Sequence, residues 1–173
     1  LPSVFKRWET ERRLEAIEND NLDDAASWNV HHWQQRDPVM VGPLAQQTMG
    51  ADWLYHGGLV QARLRYFDPR QRRPGLPGEV AALIEDIAPE SVRLTLVNLN
   101  AHEEKDILIQ GGAFAEHAFI GVQPSGDSRP AIPINGNTFQ VQLGSGVQAN
   151  LQIQMRRFVN QPTYDFPWDR MND

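Results

Sequence analysis

The strongest constraint on the fold is a change in the spacing of apolar residues near Ser91. Beyond this point apolar and polar residues alternate, and the alternation is unbroken from Val147 to Met155. A period of two places successive side chains on opposite faces of a strand, so one face of each strand packs into a core. Several short alternating runs, with turn residues about 8–12 residues apart, are typical of a sandwich or open barrel.

Five stretches carry this strand pattern, namely 92–97, Ile107–Ile109, Phe114–Val122, Thr138–Leu143 and Val147–Met155. We expect Gly144-Ser145-Gly146 to join the last two as a tight hairpin. Six polar side chains of that hairpin would then share its outer face: Gln140, Gln142, Gln148, Asn150, Gln152 and Gln154. A solvated sheet face explains them best, although amides also suit a glycan or another polar surface.

The first half of the chain has mainly helical spacing. Three helices are predicted, over residues 3–19, 43–55 and 78–87, together with a strand over 59–67. The tail, residues 160–173, is too rich in proline and aromatic residues for a strand and too apolar to float free. We expect it to pack back onto the sheet domain.

The predicted fold class is therefore α+β and mainly β, with a short N-terminal helical segment before an antiparallel β-sandwich-like domain. Residues 1–58 form a helical and irregular lead-in, interpreted as the end of a preceding helical domain. Residues 59–78 form a strand and a basic linker rich in proline and glycine, and residues 79–173 form the β domain with its packed tail. Because the chain starts at Leu1 without a methionine, we expect it to belong with the remainder of a longer polypeptide or with a partner chain.

Composition excludes several functional classes. The chain has 173 residues, a net charge of −6 and no cysteine, so it has no disulfide, thiolate nucleophile or cysteine zinc site. An acidic balance argues against nucleic-acid binding. No apolar run approaches the roughly 18 residues of a membrane helix, so no membrane partner is expected. The compartment stays open between periplasmic or extracellular and cytoplasmic.

An aromatic-rich segment is the main candidate for ligand binding. Sugar rings need an aromatic face beside amide and acid groups, because a sugar has an apolar face and hydroxyl edges. The candidate residues are Trp28, His31, Trp33, Asp52, Trp53, Tyr55 and His56. The alternative is a buried junction between the helical part and the sheet. This alternative is favoured because tryptophan is common in protein cores and interfaces.

Catalytic and metal chemistry receive little support. His31, His32 and His56 have no recognised metal-ligand spacing, so neither a metal nor another cofactor is expected. Glu116 and His117 are predicted to lie on a strand, where neighbours point to opposite faces and make a poor acid–base pair. Five arginines near the linker are interpreted as solvated: Arg63, Arg65, Arg70, Arg72 and Arg73. Catalytic residues therefore stay unassigned.

Several stretches carry a resemblance to known proteins. They are Gly58 to Asp68 (GLVQARLRYFD), Leu96 to Asn100 (LVNLN), Ile109 to His117 (IQGGAFAEH) and the ending Asn160 to Trp168 (NQPTYDFPW). These look like the tails of long, poorly characterised bacterial proteins. The order of the pieces is also similar to carbohydrate-active enzymes in which an α/α toroid precedes a β-sandwich. That resemblance implies that the first segment ends a toroid, and it carries over no catalytic residue.

Three functional hypotheses follow. The leading one is an accessory C-terminal β domain of a larger glycan-acting enzyme, which braces the catalytic part and contacts carbohydrate. The first alternative is an assembly module that joins copies into an oligomer or filament through the last hairpin and the tail. The second alternative is a small metal-dependent enzyme that uses the histidines.

Overall fold

The chain divides into two compact units, residues 1–44 and 45–173. The computed structural model describes residues 2–20, 22–38, 42–51, 62–126 and 128–170. Within them the chain is mainly β, with helices before two antiparallel sheets, which confirms the predicted fold class.

The first unit contains α1 (Pro2–Glu18), a 3-10 helix (Leu22–Ser27) and α2 (Val30–Arg36). Helix α1 confirms the predicted N-terminal helix. Asn29 caps α2, since its side-chain oxygen accepts a hydrogen bond from the His32 N–H at 3.0 Å. At the other end of α2 the Arg13 guanidinium donates to the carbonyls of Gln34 at 2.6 Å and Asp37 at 2.8 Å. One arginine of α1 thus satisfies carbonyls that a helix end leaves unpaired.

Helix α3 (Gly42–Met49) is shorter than predicted. Gly50 has φ +61°, and its N–H donates to the Gln46 carbonyl at 3.1 Å. A left-handed glycine of this kind ends a helix. The helix therefore stops six residues before Tyr55, where the prediction ended it, and residues 52–55 of the prediction lie outside the described part.

The second unit contains nine described strands and a short C-terminal helix. The strands are β1 (Leu64–Asp68), β2 (Arg73–Pro74), β3 (Val80–Ala88), β4 (Ser91–Asn98), β5 (Lys105–Gly111), β6 (Ala118–Pro124), β7 (Ile132–Gly136), β8 (Thr138–Leu143) and β9 (Gln148–Arg156), and the helix is α4 (Pro167–Arg170). One sheet has the order β2-β1-β5-β8 and the other β3-β4-β9-β6-β7, and every strand pair is antiparallel.

The core lies on the inner faces of the two sheets. Its fully buried side chains include Leu64, Ile107 and Ile109 from one sheet and Leu94, Leu96, Ile153 and Met155 from the other. On β9, Ile153 and Met155 are buried while Gln148, Asn150 and Gln154 are exposed, which confirms the one-sided pattern. Val147, predicted to face inward, precedes the strand and is 45% exposed.

The prediction of a helix over 78–87 is wrong, because most of this segment belongs to strand β3. Val80, Leu83, Ile84 and Ile87 have helical spacing, but a β-bulge between Ile84 and Asp86 interrupts the period of two. The bulge adds one residue, so apolar positions beyond it fall out of phase with those before it. The strand's buried residue is Ala82, whereas Leu83 and Ile87 are 44% and 46% exposed.

The hairpin predicted at Gly144-Ser145-Gly146 is also wrong. β8 pairs with β5 in one sheet, whereas β9 lies between β4 and β6 in the other. The connection therefore crosses between sheets. The six polar side chains of the expected ladder consequently divide, with Gln140 and Gln142 on one sheet and the other four on the second.

Two further differences concern β6 and β7. β6 starts at Ala118, and residues 112–117 form a loop instead of the predicted first half of a strand. β7, which contains Pro133, lies in a stretch where no strand was predicted. Proline is rare inside strands, but it is tolerated on an edge strand such as β7.

The tail packs onto the sheet domain as predicted. Trp168 contacts Phe67 edge-on, with ring centroids 5.8 Å apart, and stacks on Phe166 at 5.0 Å. Arg170 donates to the side-chain oxygen of Gln110 at 2.5 Å. Pro167, at the start of α4, is buried. The apolar residues of the tail thus complete the second unit.

Candidate functional site

An open groove in the first unit contains two of the predicted ligand-binding tryptophans. Its volume is about 570 Å³, and Trp28 and Trp33 line it together with Ile17 of α1. Gln34, Arg36 and Asp37, from the end of α2, supply polar groups to the lining. The groove therefore combines aromatic surface with amide, guanidinium and carboxylate groups.

The two indoles are fixed in a tilted arrangement. The Trp28 and Trp33 ring centroids are 4.9 Å apart at an interplanar angle of 57°, and the Trp28 ring also contacts His32 at 4.2 Å. Trp33 is 51% exposed, whereas Trp28 is half-buried. Contacts of this kind hold Trp28 in place and leave much of the Trp33 ring accessible to a ligand.

An ion pair supports the base of α2. The Arg36 guanidinium donates to both carboxylate oxygens of Asp20, and His32 Nε2 lies 3.2 Å from Asp20 Oδ2. Hydrogen bonding from Arg36, and secondarily from His32, lowers the pKa of Asp20. Asp20 is therefore ionised at neutral pH, and it orients two side chains of the helix that carries Trp33.

Of the other predicted site residues, only His31 lies in the described part of the chain, and it is not brought to this groove. His31 is exposed and does not line it. Asp52, Trp53, Tyr55 and His56 belong to residues 52–61, outside the described part of the chain. Among the described residues, no three His, Asp or Glu side chains converge in an arrangement that could hold a metal ion.

A second polar centre, in the loop between β5 and β6, was missed as a site. Glu116 and His117 are 3% and 0% exposed. They lie in this loop, whereas the sequence predicted them to lie on a strand. His117 Nδ1 accepts a hydrogen bond from the Phe158 N–H at 3.1 Å, and Nε2 lies 3.9 Å from Glu116 Oε1. The expectation that these neighbours point apart is wrong, because a loop does not impose the alternation of a strand.

The loop owes its shape to backbone geometry. Gly112 and Ala115 have φ of +86° and +63°. The Phe114 N–H donates to Glu116 Oε2 at 2.7 Å, and the Asn160 side chain donates to the carbonyls of Ala115 and His117 at 3.1 and 3.2 Å. The Gly-Gly pair in IQGGAFAEH was the available signal for such a turn, since glycine readily adopts positive φ.

The buried surroundings of His117 favour the neutral imidazole. Burial lowers the pKa of His117 and outweighs the raising influence of Glu116, while Arg157 and Arg63 lower it further. The 3.9 Å approach to Glu116 is therefore not a formed ion pair at neutral pH. Since Nδ1 accepts a hydrogen bond, the proton of the neutral ring resides on Nε2.

This centre joins three of the four stretches that carried the sequence resemblance. Arg65 donates to the Ala113 carbonyl at 2.8 Å, and the Gln110 amide donates to the carbonyls of Gly112 and Ala113 at 3.2 and 3.3 Å. The Thr163 N–H of the tail donates to the Phe114 carbonyl at 2.8 Å. β1, the loop and the tail thus meet in one hydrogen-bond network, which supports a scaffolding role for the loop.

Comparisons with known proteins give no match. No family model, no curated protein and no solved structure is similar to this chain at a significant level. Among the described residues, no helix has the length and apolar character needed to span a bilayer.

Proposed function

We propose that the chain is an accessory C-terminal region of a larger glycan-acting enzyme, in which the first unit contacts carbohydrate. The observation that carries the proposal is the groove at Trp28 and Trp33, with an accessible indole beside Gln34 and Asp37. A sugar ring would stack on the Trp33 face, and its hydroxyls would bond to the polar groups beside it.

The β-sandwich would then act as a structural support. At the loop between β5 and β6, Glu116 Oε2 and His117 Nδ1 accept hydrogen bonds from backbone N–H groups of the sandwich, and the tail covers Phe67. Groups used in this way stabilise one arrangement of the chain instead of offering reactive atoms to a substrate. The similarity in the order of pieces to toroid-plus-sandwich enzymes supports the same assignment.

A direct binding titration tests this proposal. Tryptophan fluorescence of the full chain is followed while a panel of neutral and acidic oligosaccharides is added, and hits are repeated by calorimetry. We expect a saturable change in emission with at least one oligosaccharide class. Absence of any response across the panel, at millimolar sugar, would overturn the carbohydrate assignment.

The alternatives have unequal support. The assembly hypothesis is favoured by the edge strand β8, whose sequence TFQVQL has no charged residue. The metal-dependent enzyme hypothesis receives no support from His31 or His32, since His31 is exposed and His32 contacts Asp20. His56, the third histidine of that hypothesis, lies outside the described residues.

A further inference from the structure

The edge strands of the two sheets differ in how they are protected against pairing with another chain. An exposed strand edge offers unpaired N–H and C=O groups, and proteins usually block it with proline, charge, a bulge or short length. β2 has two residues, one of them Pro74, and β7 contains Pro133. β3 carries Glu85 and Asp86 at its bulge. Three of the four described edges are therefore protected.

β8 is the fourth edge, and it has none of these features. Its sequence is TFQVQL, and its pairing with β5 runs without a register shift. It also lies within residues 130–155, a stretch without a single Asp, Glu, Lys or Arg in a chain that is 22% charged. Gln140 and Gln142 are exposed. The edge is thus flat, polar and uncharged.

The register shows which backbone groups of β8 are available. The Gly111 N–H donates to the Asn137 carbonyl at 2.9 Å, and the ladder continues with Ile109 opposite Phe139 and Ile107 opposite Val141. In an antiparallel ladder, hydrogen-bonded pairs alternate with non-bonded ones. Phe139 and Val141 therefore bond to β5, and the N–H and C=O groups of Thr138, Gln140 and Gln142 point away from it. Among the described residues, β8 has no strand neighbour other than β5, and no backbone hydrogen bond outside the strand ladders reaches these three.

We propose that β8 is an intermolecular pairing edge and that its occupant is β8 of a second copy of this chain, running antiparallel. A two-fold axis at Gln140 places Gln140 opposite its own mate and Thr138 opposite Gln142. This register uses all three outward-facing residues and forms about six backbone hydrogen bonds. The two four-stranded sheets would join into one continuous sheet.

Self-pairing suits this strand because it has no charged residue and because its apolar and polar side chains lie on opposite faces. Across a two-fold axis identical or near-identical residues meet, so a charged strand would place like charges opposite each other. β8 brings glutamine against glutamine or threonine on the outer face. On the inner face it brings Phe139 against Val141, and both already pack on the core. Opposed residues share a face of the joined sheet, so the register keeps apolar with apolar.

The test is the concentration dependence of mass for the full chain, measured by light scattering and sedimentation. A small interface of this kind predicts a dimer with a dissociation constant of about 1–100 µM. Gln142→Pro removes the backbone N–H of residue 142, which points away from β5, so the hydrogen bonds between β8 and β5 are kept. Edge strands also tolerate proline. We expect Gln142→Pro to weaken the dimer about tenfold or more with an unchanged circular dichroism spectrum.

Matched variants make the result decisive. Gln142→Ala keeps the backbone donor and should dimerise like the wild type. The double variant Gln140→Lys with Gln142→Lys disrupts the dimer in a second way, by placing lysines of the two copies near each other. The monomer fold should tolerate these lysines, because Gln140 and Gln142 already bond to the acidic residues Asp106 and Glu104. A wild type that stays monomeric to about 500 µM, well above the expected dissociation constant, overturns the proposal. A dimer that survives in both a folded Gln142→Pro chain and the double variant also overturns it, because another surface would then hold the copies together.

Discussion

The Glu116 carboxylate lies directly against the α-carbon of Gly112, so that a β-carbon at position 112 would come within 2.3 Å of the Glu116 carboxyl carbon. Gly112 also has φ +86°. Gly112→Ala therefore adds both a steric clash and backbone strain. We expect the free energy of unfolding to fall by about 3 kcal/mol or more, measured by urea denaturation.

Gly126→Ala is the matched control for this change. Gly126 has a similar φ of +79°, but no atom of the described residues lies within 4 Å of its would-be β-carbon. It should lose only about 1–2 kcal/mol, the cost of left-handed backbone alone. Equal losses in the two variants would mean that the packing of Glu116 on Gly112 contributes nothing.

Trp33→Ala should weaken oligosaccharide binding if the groove is the carbohydrate site. Removing the exposed indole removes the stacking surface, so we expect affinity to fall about tenfold or more, measured by calorimetry. Trp8→Ala is the control, since Trp8 lies on α1, is 55% exposed and does not line the groove. Affinity lost equally in both variants would point to an effect on the folding of the unit and not on the groove.

Ile153→Ala should destabilise the sandwich by about 2–5 kcal/mol, because it leaves a cavity at a fully buried position. Leu151→Ala, two residues earlier on the same face, should lose less, since Leu151 is only partly buried. Gln154→Ala, on the outer face of the same strand, should change stability by about 0.5 kcal/mol or less. Chemical denaturation of the three variants measures this order, and a different order would contradict the described register of β9.

His117 should make stability depend on pH in the acid range. Its pKa is lowered in the folded protein, so below the unfolded value of about 6.5 the unfolded chain binds more protons. The contribution of His117 is thus fully present above about pH 6.5 and decreases as pH falls toward the folded pKa. His117→Asn, which keeps an acceptor for the Phe158 N–H, should flatten the wild-type profile below about pH 6.5.

Proton NMR provides the independent check on His117. The imidazole resonance of His117 in the folded chain should titrate at lower pH than histidine resonances of the same chain unfolded in urea. A His117 resonance that titrates at or above the unfolded midpoint would show that Glu116, and not burial, dominates its surroundings.

The sequence predicted the candidate site only in part. Trp28 and Trp33 were identified by residue type, because exposed aromatic surface beside polar groups has a local signature. His31, predicted together with them, does not line the groove, since adjacent positions on a helix point in different directions and only the folded α2 shows which side faces the groove. The Glu116–His117 centre was dismissed because a strand was assumed where the chain forms a loop.

The sequence by itself determined that the chain is mainly β, that one face of β9 is buried, that α1 is a helix and that the tail packs back. These features depend on local periodicity and on the hydrophobicity of short segments, which a single chain displays directly. Only the tertiary structure decided that β8 and β9 belong to different sheets, that β3 is a bulged strand and that β8 is an unprotected edge. Strand partners are chosen by contacts between residues distant in sequence, and alternation shows which side of a strand is buried without showing which strand lies beside it.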